Sequence, residues 1–238
     1  MLALLHTSPV HIPVFDALRD RAHPGLELRH LVAADLLERA RATGPEAVAG
    51  DVRARVREAV DGGARAVLCT CSTLGAVAEA ASGVAGVPVL RVDRPMARQA
   101  VEAGPRIVVL AALQSTLRPT VGLIEEEARR AGRPARVRPV VVDGAWERFE
   151  AGDSAGYLSR VAAAADGVAG ADVIVLAQAS MAPAVELGGA RVPVLSSPGT
   201  GLAAGAAAAG GTGAVGEIGS PSVPRSGDWG GGRRVGGG

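Results

Sequence analysis

Short apolar runs recur along the chain, each followed by Ser, Thr, Gly or Pro and then by a stretch with helical spacing. The clearest are Leu2–Leu5, Ala66–Cys71, Val87–Val92, Ile107–Ala111, Arg138–Val142, Val173–Ala177 and Val192–Leu195. Runs that are apolar on both faces suit strands buried between helices in a parallel sheet. Between them, Pro45–Gly62 and Arg118–Gly132 read as helices. In the second, Glu125, Glu126 and Glu127 precede Arg129 and Arg130, the pattern of a solvated helix face. Strands alternating with helices predict an α/β fold built on parallel sheets.

The two halves resemble each other. Ala66-Val-Leu-Cys-Thr-Cys-Ser-Thr-Leu leads through a helical stretch to Val87-Pro-Val-Leu, and Val173-Ile-Val-Leu-Ala-Gln-Ala-Ser-Met leads in the same way to Val192-Pro-Val-Leu. Leu2–Pro9 and Ile107–Pro119 form a similar pair. The expected architecture is two pseudo-symmetric lobes, each a parallel sheet flanked by helices, with the active site in the cleft between them. Residues 1–95 with about 198–209 make the first lobe, and 96–197 make the second. From residue 210 to 238 the composition turns to Gly, Ser, Pro and Arg, too little apolar surface to offset ordering entropy, and a disordered Gly-rich tail is expected.

Composition narrows the chemistry. All 25 Lys+Arg residues are arginine, so no Schiff-base lysine and no P-loop lysine exist. The net charge of +1 gives no footprint for nucleic acid or an anionic membrane, and aromatics at 2% leave few rings for stacking bases. No apolar stretch reaches the roughly 20 residues of a membrane helix. The N-terminus shows no basic n-region, and the two cysteines, Cys69 and Cys71, sit too close together for an ordinary structural disulfide. A cytoplasmic protein is expected, with a homodimer as the default oligomer.

In open α/β sheets, ligands bind beyond the carboxyl ends of the strands. Four such ends carry small polar residues: Thr7-Ser8, Cys71-Ser72-Thr73, Ser115-Thr116 and Gln178-Ala179-Ser180. Exposed N–H groups of the helices that follow would suit a carboxylate. Cys71 is placed where a helix N-terminus favours its thiolate, while Cys69, on the same sheet face but deeper, reads as a small core hydrophobe. His6, His11, His23 and His30 repeat no known metal spacing, so neither a metal nor another cofactor is expected.

Leu5-His-Thr-Ser, Thr70-Cys-Ser-Thr, Leu110-Ala-Ala-Leu-Gln-Ser-Thr, Leu176-Ala-Gln-Ala-Ser-Met and Val192-Pro-Val-Leu, in this order, resemble the aspartate/glutamate/hydantoin racemase superfamily over Leu2 to Ala204. That resemblance implies cofactor-independent proton transfer at a carbon next to a carboxylate, with a cysteine from each lobe on either face of the substrate. It places the first cysteine's role on Cys71. Thr7, Ser8, Ser72, Thr73, Thr116, Gln178 and Ala179 would then bind substrate. Where the family's second lobe offers Cys-Thr-His, this chain has Gln178-Ala179-Ser180, so the second thiol is missing and Ser180 is the remaining catalytic candidate. His6-Thr7-Ser8 also replaces the Asp-Ser that many amino-acid racemases carry there.

Three functions stay open on this reading. One is a racemase or isomerase acting on a small acid or amino acid through the Cys71 thiolate. Another is a single-cysteine decarboxylase or double-bond isomerase of malonate- or maleate-like acids. The third is a carboxylate-binding protein without turnover.

Overall fold

The computed structural model describes residues 1–210, so the expected tail falls, from residue 211 onward, outside the described residues. Two four-stranded parallel sheets carry the fold. The first contains β1 (Leu2–His6), β2 (Leu28–Val32), β3 (Ala66–Cys69) and β4 (Val89–Arg91), in the order β2-β1-β3-β4. The second contains β5 (Arg106–Ala111), β6 (Arg136–Val141), β7 (Val173–Leu176) and β8 (Val194–Ser196), in the order β6-β5-β7-β8. Strand order and register both repeat: Leu5 pairs with Cys69 in the first sheet, and Leu110 pairs with Leu176 in the second.

The sequence pattern does not single out β2. Its residues, Leu28-Arg-His-Leu-Val, are half-buried or exposed because it forms the edge of its sheet, so it lacks the continuous apolar run of a central strand. The expected strand Ala66–Cys71 ends two residues early, at Cys69: the Thr70 amide still donates to the Leu5 carbonyl at 3.0 Å, and Cys71 lies past the ladder at the cavity.

The helices of the first half are α1 (Ile12–Ala22), α2 (Ala34–Thr43), α3 (Ala49–Asp61), α4 (Gly75–Ala80) and α5 (Ser82–Ala85). Then come α6 (Arg94–Ala103), α7 (Gln114–Ala131), α8 (Ala145–Glu150), α9 (Ser154–Asp166) and α10 (Ser197–Ala208). The helix expected over Pro45–Gly62 is a short 3-10 turn, Pro45–Val48, followed by α3. The one expected from Arg118 begins earlier, at Gln114. Pro119, a residue that commonly marks a helix start, lies in its second turn. Gly132 ends α7 in the left-handed conformation, at φ 62°.

Two helices change sides. α6 follows β4 of the first sheet but packs Met96, Ala97, Ala100 and Val101 into a core with Ile107, Val109, Val173 and Val175 of the second. α10 follows β8 of the second sheet and packs Leu202, with Ala209 just past its end, against Leu2, Leu4, Ala66 and Leu68 of the first. Where the crossing segments meet, Arg94 at the start of α6 binds Glu79 of α4 (2.6 Å), Glu126 of α7 (3.2 Å) and Glu127. Beside it, Arg91 and Asp93 form a buried two-bonded ion pair at 2.7 and 3.0 Å. Among the described residues, no helix is long and apolar enough to cross a membrane.

α10 approaches β4 so closely that a Cβ on Gly201 would lie 2.5 Å from the carbonyl oxygen of Val92. Backbone cannot yield there as a side-chain tip would. Gly201→Ala should lower stability by about 1–3 kcal/mol, the usual cost of overpacking, read as an earlier midpoint in urea unfolding. Gly122→Ala, on an open helix face, is the control and should unfold no earlier than the wild type.

Candidate active site

In both sheets the strand order reverses at the central pair, β1 with β3 and β5 with β7. This is the switch point where open α/β sheets bind ligands. The loops leaving those four strands converge on one cavity of about 170 Å³. Thr7, Ser8, Cys71, Ser72, Thr73, Thr116, Gln178, Ala179 and Ser180 all line it. The sequence-derived candidates thus meet at one place, except Ser115, which is not part of the lining. The lobes touch there directly, as Ser72 Oγ donates to the Ala177 carbonyl at 3.1 Å.

On the first-lobe wall, Cys71 is half-buried and Cys69 fully so. Burial pushes the Cys69 thiol well above the ordinary thiol range, and its Sγ donates to the Cys71 carbonyl at 3.6 Å. The helix expected immediately after Cys71 begins only at Gly75, because Ser72, Thr73 and Leu74 make a turn first. Beneath this turn lies a polar chain. Thr70 Oγ1 donates to the Leu5 carbonyl (3.2 Å) and meets His6 Nδ1 at 2.8 Å; His6 Nε2 meets His30 Nδ1 at 2.9 Å; and His30 Nε2 reaches Asp16 at 3.3 Å. Burial, with His30 and His11 nearby, lowers the His6 pKa to about 3, so this ring is neutral at ordinary pH. Ser8 Oγ is occupied as a cap, accepting from the Val10 amide at 3.4 Å.

On the second-lobe wall, the repeated register fixes an equivalence. Cys71 lies two residues beyond Cys69, and Gln178 lies two beyond Leu176, so Gln178 holds the position in the second lobe that Cys71 holds in the first. Its side-chain Oε1 accepts from the amides of Ala112 (2.6 Å) and Leu113 (3.3 Å), which only an oxygen can do. The amide nitrogen, with two protons, is left on the other side of the group. Two residues on, the Ser180 hydroxyl is 2.8 Å from the phenol of Tyr157. Thr116 sits buried on the first turn of α7, whose N-terminus opens on the cavity.

Some of the lining was not read from the sequence. Leu37 and Arg41 come from α2, Trp146 and Phe149 from α8, and His11 from the turn after Ser8. Arg41 lies over the Trp146 ring, 5.7 Å from its centroid, so the two lobes also meet at the cavity's rim. Burial lowers the pKa of His11. One signal was available: Trp146, Phe149 and Tyr157 are three of only five aromatic residues in 238, and they cluster within twelve positions. Among the described residues, no three His, Cys, Asp or Glu side chains form a group able to hold a metal ion.

Two like parallel sheets face one cleft with the carboxyl ends of their central strands, a two-lobed α/β fold. The model of the Asp/Glu/Hydantoin racemase family matches residues 12–205, and the chain belongs to that family. Solved structures share the fold. Aspartate racemase of Picrophilus torridus is 15% identical with a TM-score of 0.64, over 88% of this chain and 94% of that one. Glutamate racemase of Bacillus anthracis is 18% identical with a TM-score of 0.61, over 86% and 79%. Arylmalonate decarboxylase is 20% identical with a TM-score of 0.57, over 89% and 93%. No curated protein matches the sequence.

The neutral buried His6 gives the protein an acid sensitivity of definite sign. An unfolded His6 takes a proton below about pH 6.5, whereas the folded one waits until about pH 3. The unfolded state binds more protons in that window, so stability falls as pH drops through it, by up to about 1.4 kcal/mol per pH unit from this ring. His6→Gln should be less stable at pH 7, having lost a buried partner of Thr70 and His30, yet lose less on going to pH 4. Urea midpoints at a series of pH values test this, and parallel curves for the two proteins would refute it.

Proposed function

We propose that this protein moves a proton at the carbon next to a carboxylate of a small acid, with the Cys71 thiolate as its single acid–base and without a bound cofactor. The observation that carries the reading is the unlike pair at equivalent positions: a thiol on the first-lobe wall, and an amide anchored by two backbone N–H groups on the second. The thiolate takes the α-hydrogen as a proton, and the C–H electron pair moves into the carboxylate to give an enediolate. The Gln178 amide nitrogen, the Ser180 hydroxyl and the first turn of α7 are neutral donors suited to those oxygens. Thr7, Ser72, Thr73 and Thr116 complete the polar lining, with the Ala179 backbone between Gln178 and Ser180. Arg41, the one arginine of the lining among the described residues, draws an anion to the mouth.

A Gln side chain cannot accept a proton at ordinary pH. Racemisation would need a proton delivered from the second lobe by water or by the Ser180 hydroxyl. That asymmetry also favours a second reading, loss of carbon dioxide from a malonate-like acid with Cys71 protonating the carbanion, for which one thiol is sufficient. Family membership agrees with the first reading, and the fold shared with arylmalonate decarboxylase is compatible with the second.

In heavy water, the wild type should wash out the α-hydrogen of a carboxylate or hydantoin substrate, followed by proton NMR over a panel that includes arylmalonates. Cys71→Ala should reduce the rate by roughly 10²–10⁴-fold without loss of stability. Neither exchange nor carbon dioxide release from any member of the panel would overturn the proposal. Exchange that survives Cys71→Ala would remove the thiol from it.

A further inference from the structure

We infer that Tyr157 is a positioning residue that turns the Ser180 hydroxyl into a hydrogen-bond donor aimed at the cavity, so that the second-lobe wall receives an anionic oxygen of the substrate and not its α-hydrogen. This deepens the proposed function, and rests on it for the identity of the anion.

The direction of the Tyr157–Ser180 bond follows from where each partner lies. Tyr157, on α9, is 2% exposed and sits in an apolar core with Val108, Leu110, Ala145, Val161 and Met181. Burial pushes its phenol up to about 12, so it keeps its proton throughout the neutral range. A buried O–H left without an acceptor costs about 1–3 kcal/mol. The acceptor at hand is Ser180 Oγ at 2.8 Å. Tyr157 therefore donates. Ser180 has one proton and two lone pairs; with a lone pair taken by the phenol, its proton is free to turn to the cavity it lines.

Gln178 reaches the same polarity by another route, its oxygen held by two backbone amides and its N–H groups left over. Donors thus stand two residues apart on one wall, opposite the thiol. The substrate class that fits is an acid whose carboxylate oxygens, or a second geminal carboxylate, lie toward the second lobe while the reacting carbon faces Cys71. An amine at that place would meet donors with its own donors, so this wall selects against an ammonium group.

The test is malonate binding by calorimetry on the full chain, with a spectroscopic readout from Tyr157, the chain's only tyrosine. Ser180→Ala and Tyr157→Phe should each weaken malonate about tenfold, and the double variant should bind no worse than Ser180→Ala alone, because the phenol acts only through that hydroxyl. In protein labelled at tyrosine Cζ, malonate should shift the single resonance in the wild type and leave it still in Ser180→Ala. Losses that add in the double variant, a Tyr157→Phe that binds like the wild type, or an unmoved resonance would each overturn the inference. So would a wild type that binds no malonate. Cys71→Ala separates this outcome from that of the proposed function: it should slow α-hydrogen exchange roughly 10²–10⁴-fold while keeping malonate affinity within about twofold.

Discussion

The exchange of terminal helices between the lobes is the constraint on which the cleft depends. Neither sheet is covered by its own chain segment alone: α6 leaves the first and closes the core of the second, and α10 does the reverse. Each helix buries apolar surface that would otherwise face water, at roughly 25 cal/mol per Å², and in doing so fixes the distance between two sheets that share no hydrogen-bonded strands. The switch points then face each other by construction. A cavity assembled from four loops of two separate sheets keeps its shape only because those sheets cannot slide, and the close passage of Gly201 over Val92 shows how little slack the arrangement has.

Within that frame the two walls have diverged. Repetition of order and register makes them directly comparable, position by position, and the differences all run in one direction. The first lobe offers a thiol above a buried histidine network, while the second offers an amide and a hydroxyl, each tied from behind by a single anchoring contact set. A repeated scaffold has thus produced a polar cavity with a thiol on one side and an anchored amide and hydroxyl on the other. Arg41 over Trp146 adds a further contact between lobes at the rim, where charge and ring would meet any ligand entering.

Most central strands were legible because strands buried on both faces must be apolar throughout, and Ala66–Cys69 and Val173–Leu176 are. β2 was not, because an edge strand carrying Arg29 and His30 has no such requirement. The candidate polar residues were legible as well, since their place at strand ends follows from topology. Leu37, Arg41, Trp146 and Phe149 were not, because they belong to helices whose reach into the cleft is set by packing and not by local spacing. The partner of Ser180 was hidden for a similar reason: Tyr157 is 23 positions away, on a helix that the sequence pattern does not single out. Equivalence of Gln178 and Cys71 could be suspected from the repeat but needed the register to be established.

The chain from Thr70 to His30 also has a direction. A carbonyl can only accept, so the bond to Leu5 commits the Thr70 hydroxyl proton, and Thr70 must then accept from the ring beside it. That places the His6 proton on Nδ1 and, in a neutral imidazole, leaves a lone pair on Nε2, which obliges the Nδ1 of His30 to carry a proton in turn. One main-chain oxygen in β1 thereby dictates the tautomers of two imidazoles in succession. The donated protons run inward, from His30 through His6 and Thr70 to that oxygen beneath the Cys71 turn.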